Sequence, residues 1–331
     1  MVKKFLAFLL ILAVCFLCGC TGYRESDNTF VVSAIGFDKT EKNYTIFIET
    51  VTANEAESEL KEETYKAEGE TLESALYSLK NKIYKPLSFE HCSVILVSPR
   101  IIKKDFKDVV HFCKKTEGLN TSVYFAATEE IEKIISADAV SEAAGGYDIS
   151  AAIESRYGED GIKYKNRLYE LLSATDEFKP TFYLPFLNTE EDKFTSDGEL
   201  VYTDFLPRNK LDFLDSFVLS VLTNRYGKGN ITLMGETAEI QSAHTYFDAK
   251  VKEDKLYINL KTKFRFKTRS ENFLKEFESR AEKLLKDTED IFGFSKILNQ
   301  KHPKEFAKVF KNYKEIYKNS VIVLTVEEES F

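Results

Sequence analysis

The longest apolar run of the chain stands at its very beginning and is too short to cross a membrane. Met1 to Lys4 is a short positive start, and the residues from Phe5 to Leu17 that follow are almost all apolar. A membrane-spanning helix needs about 20 such residues, whereas the core of an export signal needs about 7–15. No later stretch approaches the spanning length. The sequence therefore predicts that everything after this run folds as a water-soluble body outside the bilayer.

The residues that end this run predict where the chain is cut and what is attached there. Leu17-Cys18-Gly19-Cys20 resembles a bacterial lipobox, with an apolar residue three positions before a cysteine and a small residue directly before it. We predict a signal peptide over residues 1–19, cleavage after Gly19, and S-diacylglycerol and N-acyl chains on Cys20. Two acyl chains are enough for stable anchoring in a bilayer. An ordinary secretory signal or an uncleaved anchor is the alternative interpretation.

The charge of the body excludes one large class of partners. The whole chain has a net charge of −8, and loss of Lys3 and Lys4 would leave 44 basic against 54 acidic residues. Nucleic-acid binders usually carry a basic surplus, so we expect no nucleic-acid partner. The same acidic balance argues against electrostatic adhesion of the body to anionic lipid.

Two cysteines would remain as thiols after cleavage and lipidation, Cys92 and Cys113. Two thiols in a body of this size do not make a disulfide framework. We interpret them as small buried apolar residues. Whether they pair is left open by the sequence.

The body alternates between strand-like and helix-like segments, which predicts an α+β fold. Lys104 to Lys115, for example, predicts a helix because its apolar residues recur at helical spacing. Leu256 to Phe266 predicts a strand with one wet face because apolar and polar residues alternate. The alternation along the chain favours a multi-domain protein with mixed β-sheets, each packed with helices. Two further segments are expected to be an exposed acidic loop (Asn54 to Glu68) and a helix (Ile162 to Ala174).

Polar and glycine-rich stretches predict the domain organisation. The acidic segment from Asn188 to Gly198 is the preferred linker, between an N-terminal α+β region over residues 20–187 and a C-terminal α+β region over residues 199–331. Gly145-Gly146 breaks the preceding pattern, which suggests a sub-boundary near residues 137–146.

The sequence offers no catalytic constellation, so we expect a protein that is not an enzyme and has no metal or cofactor site. The four histidines (His91, His111, His244 and His302) fall on separate predicted elements, and none are spaced as paired metal ligands. His91 precedes a buried strand and is interpreted as a hydrogen-bonded structural residue. Asp290, before Ile291-Phe292-Gly293-Phe294, is expected to fix a turn between two helices, because no partner for acid–base chemistry accompanies it.

Three stretches of the chain together resemble the Ger(x)C lipoproteins, the C subunits of bacterial spore germinant receptors. The first is Cys20 followed closely by the apolar strand that ends in Gly36-Phe37-Asp38. The second is the helix that opens with Gly69-Glu70-Thr71 and leads through Phe89-Glu90-His91 into an apolar strand. The third is Asp290 to Phe294 followed by the Pro303-Lys304-Glu305-Phe306 segment, where Phe306 stands in the position that is commonly Trp in the family.

The resemblance implies a lipid-anchored α+β subunit on the outer face of the spore inner membrane. It implies membrane-embedded A and B germinant-receptor subunits as partners, membrane lipid contacted through Cys20, and a non-enzymatic assembly or signalling role in spore germination. The alternative hypothesis is a solute-binding lipoprotein of a membrane transporter, which requires a concave cleft between the two halves. A cell-wall enzyme is the third and weakest hypothesis.

Overall fold

Two β-sheets, both packed with helices, organise the chain. The computed structural model describes residues 29–54, 59–136, 145–177, 179–190, 193–253, 255–286 and 290–329. The predicted signal peptide, Cys20 and most of the predicted sub-boundary at 137–146 lie outside these residues. The predicted fold class is confirmed, because mixed sheets are packed with helices in both parts of the molecule.

The described residues contain thirteen strands and ten α-helices. The strands are β1 (Phe30–Lys39), β2 (Tyr44–Asn54), β3 (Glu59–Gly69), β4 (Leu87–Ser88), β5 (Val94–Val97), β6 (Tyr124–Ala127), β7 (Thr181–Glu190), β8 (Lys193–Thr203), β9 (Leu206–Leu211), β10 (Gly229–Leu233), β11 (Glu236–Lys252), β12 (Lys255–Arg269) and β13 (Val321–Glu328). The helices are α1 (Leu72–Lys82), α2 (Lys104–Lys115), α3 (Ile131–Ile135), α4 (Gly145–Glu159), α5 (Leu168–Ala174), α6 (Phe213–Leu222), α7 (Phe273–Leu285), α8 (Phe294–Lys301), α9 (Pro303–Val309) and α10 (Tyr313–Lys318).

The first sheet has nine strands in the order β3-β2-β1-β5-β6-β7-β8-β9, with β4 also paired to β1. The central pairs β1–β5, β5–β6 and β6–β7 are parallel, and the strands beyond them on each side are antiparallel. Both faces of the central strands are apolar because both are covered: α1, α2 and α5 pack on one face, and α3 and α4 on the other.

The second sheet has the order β10-β11-β12-β13 and buries only one of its faces. The predicted alternation on β12 is confirmed, since every second residue from Leu256 to Phe266 is buried. These residues form one core with helices α6 to α10, including Phe217, Phe273 and Phe277. The opposite face is exposed, as the polar half of the alternation predicts.

Helix α4 begins at the glycine pair, where the sequence predicts only a break in the preceding pattern. A buried carboxylate explains the difference: Glu49 Oε2 on β2 accepts hydrogen bonds from the Gly146 N–H, at 2.8 Å, and from the Ser33 hydroxyl. A carboxylate at this position compensates the unpaired N–H groups of a helix start. Gly146 is needed because a Cβ there would lie 2.6 Å from the Ser33 carbonyl oxygen.

Two expectations about local structure, a loop and a helix, are wrong. Residues 59–69 form the edge strand β3 instead of a loop, and their charged side chains suit an exposed edge. The acidic segment expected as the linker contributes residues 188–190 and 193–198 to β7 and β8 of the first sheet. The expected helix from Ile162 to Ala174 forms only over α5, and residues 161–167 are extended. The division into two regions itself stays a prediction.

Candidate functional site

The residue with a predicted chemical modification, Cys20, lies outside the described residues. The first described strand begins ten residues later, at Phe30. Within the described part of the chain, none of the helices is both long enough and apolar enough to cross a bilayer. The anchor at Cys20 therefore stays a prediction.

The most distinctive polar arrangement lies where the two sheets meet. The extended segment 161–167 runs between them and makes isolated bridges in both directions, Tyr124 with Arg167, Lys165 with Tyr183 and Ile162 with Tyr226. Beside it is a cavity of about 420 Å³, which we call the junction cleft. Its walls are formed by residues 163–167, by Asn224 and Arg225 after α6, and by side chains of β6, α4 and α5.

Cations alternate along segment 161–167, and two carboxylates, Glu154 and Glu170, line the junction cleft with them. Lys163, Lys165 and Arg167 all line it. The Arg167 guanidinium stacks 4.1 Å from the Tyr124 ring centroid and donates to the Ser122 carbonyl oxygen at 3.0 Å. The Lys165 side chain is solvent-accessible, yet the surrounding protein and the positive charges of Arg225 and Lys296 lower its pKa. Around Lys165 itself, an anionic group is therefore favoured over a second cationic one.

The floor of the junction cleft is a buried ion pair between Arg225 and Glu199 of β8. Its two hydrogen bonds measure 3.0 and 2.9 Å, and the side chains are only 1% and 0% exposed. The guanidinium also donates to the Lys163 carbonyl oxygen and the Thr223 hydroxyl, and it lies 3.6 Å from the Tyr183 ring centroid. Burial raises the pKa of the Glu199 carboxyl, and Arg225 opposes that shift. Four of the five guanidinium N–H groups of Arg225 thus have a hydrogen-bond acceptor, which offsets part of the cost of burying the ion pair.

Asp290 is a second buried connection between the two parts of the molecule. Its carboxylate accepts from the N–H groups of Phe294 and Ser295, at 2.9 and 2.8 Å, and from the Tyr313 hydroxyl, at 2.8 Å. The next residue, Ile291, accepts a 3.1 Å hydrogen bond from the Tyr183 hydroxyl on β7. Burial and the carboxylate raise the pKa of Tyr313 well above its ordinary value. The predicted structural role of Asp290 at the turn between α7 and α8 is confirmed.

The structure does not bring the histidines together. His91, His111 and His244 are exposed, and His302 lies between α8 and α9. The expectation of a hydrogen-bonded His91 is wrong, because its side chain makes no such bond within the described residues. No group of three or more His, Cys, Asp or Glu side chains with metal-binding geometry occurs in the described ranges.

Cys92 and Cys113 both lie in the core of the first sheet as free, buried thiols, as interpreted from the sequence. Sequence reasoning missed the Arg225–Glu199 pair altogether. The sequence gives only a weak indication of this pair, because both residues are single charges beside a short, mostly apolar segment. The segment before Arg225 is Leu219 to Leu222, and the segment after Glu199 is Leu200 to Tyr202.

Fold and junction together define a class of protein: a two-part α+β body in which buried polar bonds join two helix-packed sheets beside a cleft lined by charged side chains. Comparison with known families makes the assignment specific. The chain belongs to the spore germination GerAC family: one family model, the spore germination protein N-terminal domain, matches residues 22–189, and a second, the spore germination B3/GerAC-like C-terminal domain, matches residues 208–329. The resemblance to germinant-receptor C subunits seen in the sequence is thereby confirmed.

Individual relatives agree with the family models. The chain is 22% identical over 228 residues to spore germination protein GerQC of Bacillus cereus, covering 69% of this chain and 63% of that relative. It is 28% identical over 152 residues to spore germination protein KC of Bacillus subtilis strain 168, covering 41% of this chain and 37% of that relative. The chain therefore spans less than two thirds of the length of either relative.

A solved structure supports the fold. The crystal structure of the GerBC protein superposes with a TM-score of 0.51 and 14% sequence identity, over 89% of this chain and 96% of that one. At this identity the likeness establishes the shared fold alone.

Proposed function

We propose that this chain is the lipid-anchored C subunit of a nutrient germinant receptor, acting in spore germination on the outer face of the spore inner membrane. Its partners are the membrane-embedded A and B subunits of the receptor, and its role is assembly or signalling without catalysis. The observation that carries the proposal is the ordered match of the two family models, over residues 22–189 and 208–329. The lipobox at Cys20 supports the anchored location, since a lipid raises the local concentration of a body beside its membrane partners.

The polar groups at the junction support a structural role for the body. The Arg225 guanidinium and the Asp290 carboxylate are engaged by internal hydrogen bonds. The Arg225 bonds join the two parts of the protein, and the Asp290 bonds fix the start of α8. Groups used in this way are poorly placed to exchange protons with a substrate.

The anchor is tested by labelling cells with palmitate and fractionating them. Cys20→Ala removes the thiol that would carry lipid, whereas Cys18→Ala leaves it and gives a lipobox with a small residue at that position. We expect Cys18→Ala to incorporate label and to fractionate with membranes like the wild type, and Cys20→Ala to do neither. Equal membrane recovery of unlabelled Cys20→Ala would refute lipid anchoring.

The receptor role is tested in spores and in membranes. Spores that lack this chain should fail to germinate in at least one nutrient, and a tagged wild-type chain should co-purify with the A and B subunits. Co-purification should be lost for Cys20→Ala and kept for Cys18→Ala. Normal germination of the deleted spores in every nutrient tested would refute the proposal.

The junction cleft favours one alternative, a solute-binding lipoprotein of a membrane transporter. That function requires a cleft between the two halves, and three cations of segment 161–167 line this one together with Glu154 and Glu170. Calorimetry of the body against amino acids and sugars distinguishes the two functions. Saturable binding of an anionic or carboxylate-bearing solute, weakened by Lys165→Gln but not by Lys267→Gln on the second sheet, would favour the transporter function. No heat across the panel would count against it.

A further inference from the structure

The segment between the predicted lipid site and the first strand, which we call the tether, is short compared with the body that it would hold. Ten residues lead from Cys20 to Phe30, and a fully extended chain covers at most about 3.3–3.6 Å per residue, or roughly 35 Å in all. A body of this length has a radius of gyration of about 19 Å and is therefore roughly 50 Å across. An anchor at Cys20 thus determines which end of the body faces the membrane, namely the end where β1 begins.

An exposed aromatic side chain lies at that end. Tyr84 is 82% exposed, more than any other large apolar or aromatic side chain in the described part of the chain. Its ring contacts Phe30, the first residue of β1, edge to face with 5.3 Å between centroids. The Lys85 amine lies 5.4 Å from the Phe30 ring centroid and 5.9 Å from that of Tyr84. We call Phe30, Tyr84 and Lys85 the tether-end group.

The tether-end group is held rigidly to the first sheet. The Phe30 N–H donates a 2.9 Å hydrogen bond to the Pro86 carbonyl oxygen, and Phe30 pairs with Leu87 on β4. Ile83, directly before Tyr84, is buried in the core of the first sheet. Tyr84 is therefore fixed beside the point where the tether leaves, instead of lying on a free loop.

The chemistry of this group suits the headgroup layer of a bilayer. Tyrosine concentrates at membrane interfaces because its ring is apolar and its hydroxyl is wet. A lysine amine beside the tyrosine ring can pair with the phosphate groups of lipids. The neighbouring strand β3 carries Glu62 and Glu63, and Lys61 pairs with Glu63 at 2.6 Å, so net charge does not draw this end to the surface. The aromatic ring is the contacting element.

We propose that the tether-end group is where the body rests on the bilayer that holds the Cys20 lipid, with Tyr84 in the headgroup layer. This inference depends on the proposed lipid anchor and adds an orientation to it.

The chain contains no tryptophan, which permits a direct test. Tyr84→Trp places a single fluorescent reporter in the tether-end group of the full-length lipidated chain. Tyr246→Trp is the matched control, since Tyr246 is also a tyrosine and is 52% exposed on the second sheet. Each is reconstituted into vesicles of phosphatidylcholine and phosphatidylglycerol, with or without brominated acyl chains. We expect a blue shift and quenching by brominated lipid for Tyr84→Trp and neither effect for Tyr246→Trp.

Flotation of the vesicles separates failure of this inference from failure of the anchor. A wild-type chain that does not float, or a Cys20→Ala chain that floats equally well, refutes the lipid anchor and the orientation with it. A chain that floats through Cys20 but leaves Tyr84→Trp unshifted and unquenched refutes the orientation alone. Quenching of Tyr246→Trp in place of Tyr84→Trp would refute it too, because the body would then rest on its second sheet.

Discussion

Arg225 and Glu199 are 26 residues apart in the sequence and form a fully buried, two-bonded ion pair at the junction of the two sheets. Arg225 follows α6 of the second part, and Glu199 belongs to β8 of the first sheet. The pair therefore fixes the two parts of the molecule to each other at the floor of the junction cleft.

Removing one member of this pair should be costly. Arg225→Met leaves the Glu199 carboxylate buried without its partner, and we expect a loss of about 3–5 kcal/mol in the free energy of unfolding, measured by urea denaturation. The double variant Glu199→Leu/Arg225→Met should recover most of that loss, because no buried charge remains. Arg265→Met breaks an ion pair with Glu329 whose side chains are 44% and 42% exposed, and it should cost less than about 1 kcal/mol. Equal costs for the two single variants would contradict a stabilising role of the buried pair.

The bonds of Asp290 should be coupled to each other. Asp290→Ala removes the acceptor at the start of α8, which should lower the free energy of unfolding by about 0.5–2 kcal/mol. It also leaves the Tyr313 hydroxyl buried without its acceptor, which should lower it by about 1–3 kcal/mol more. Tyr313→Phe should cost only about 1 kcal/mol. The double variant Asp290→Ala/Tyr313→Phe should be no less stable than Asp290→Ala alone. It has no Tyr313 hydroxyl, so it does not bear the cost of burying that hydroxyl without an acceptor. Asp248→Ala, an exposed carboxylate on β11, is the control in the same urea titrations. Additive losses would mean that Asp290 and Tyr313 act independently.

Glu49 should make stability depend on pH in an unusual direction. Burial raises the pKa of its carboxyl above the ordinary value of 4.5, and its hydrogen bonds only partly oppose this. A raised pKa favours folding at low pH, where the group is protonated in both states, and this contribution is lost as the pH rises through the folded-state pKa. Glu49→Gln keeps a neutral side chain at every pH. It should therefore be at least as stable as the wild type at pH 7, and the difference should shrink toward pH 4.

The matched control for Glu49→Gln is Glu68→Gln, on the exposed edge strand β3. Urea denaturation at pH 4 and pH 7 provides the comparison, and the control should follow the wild type at both. If Glu49→Gln is the less stable protein at pH 7, and increasingly so as the pH rises, then the charged carboxylate stabilises the start of α4 and the predicted sign is wrong.

The two core thiols should be inert in the folded protein. Burial raises the pKa of Cys92 to about 12 and that of Cys113 well above its ordinary value, so almost no thiolate exists at pH 8. In the cleaved and lipidated chain, or in a body that begins at residue 21, we expect both thiols to react with dithiobis-nitrobenzoate only at the rate of unfolding. Ser242→Cys, on the exposed face of β11, should react at once. If neither thiol reacts with dithiobis-nitrobenzoate in denaturant without a reductant, then Cys92 and Cys113 are paired as a disulfide.

The sequence predicts a helix or strand well where its apolar residues repeat at regular spacing and all lie on one buried face. Helix α2 was predicted at its observed bounds, Lys104–Lys115, because Phe106, Val109, Val110 and Cys113 recur on its buried side. The buried half of β12 was predicted residue by residue from its alternation. In both cases the local pattern and the tertiary environment require the same conformation.

Elements held by distant contacts were missed. Strand β3 carries mostly charged residues because it is an edge, so its pairing with β2 leaves little apolar signal. Helix α4 starts with two glycines, poor helix formers whose value here is close contact with Ser33. The Arg225–Glu199 pair has no sequence periodicity at all, since only the folded junction brings the two charges together.

The position of β1 inside the first sheet determines how the molecule would respond to mechanical load. This strand follows the tether directly, yet it is interior, with β2 on one side and β4 and β5 on the other. A pull on the lipid anchor would act along β1 and load its hydrogen bonds to both neighbours simultaneously in shear, instead of peeling them apart one by one. Under the proposed lipid anchor, β1 could therefore leave the sheet only by breaking its pairing with both neighbours.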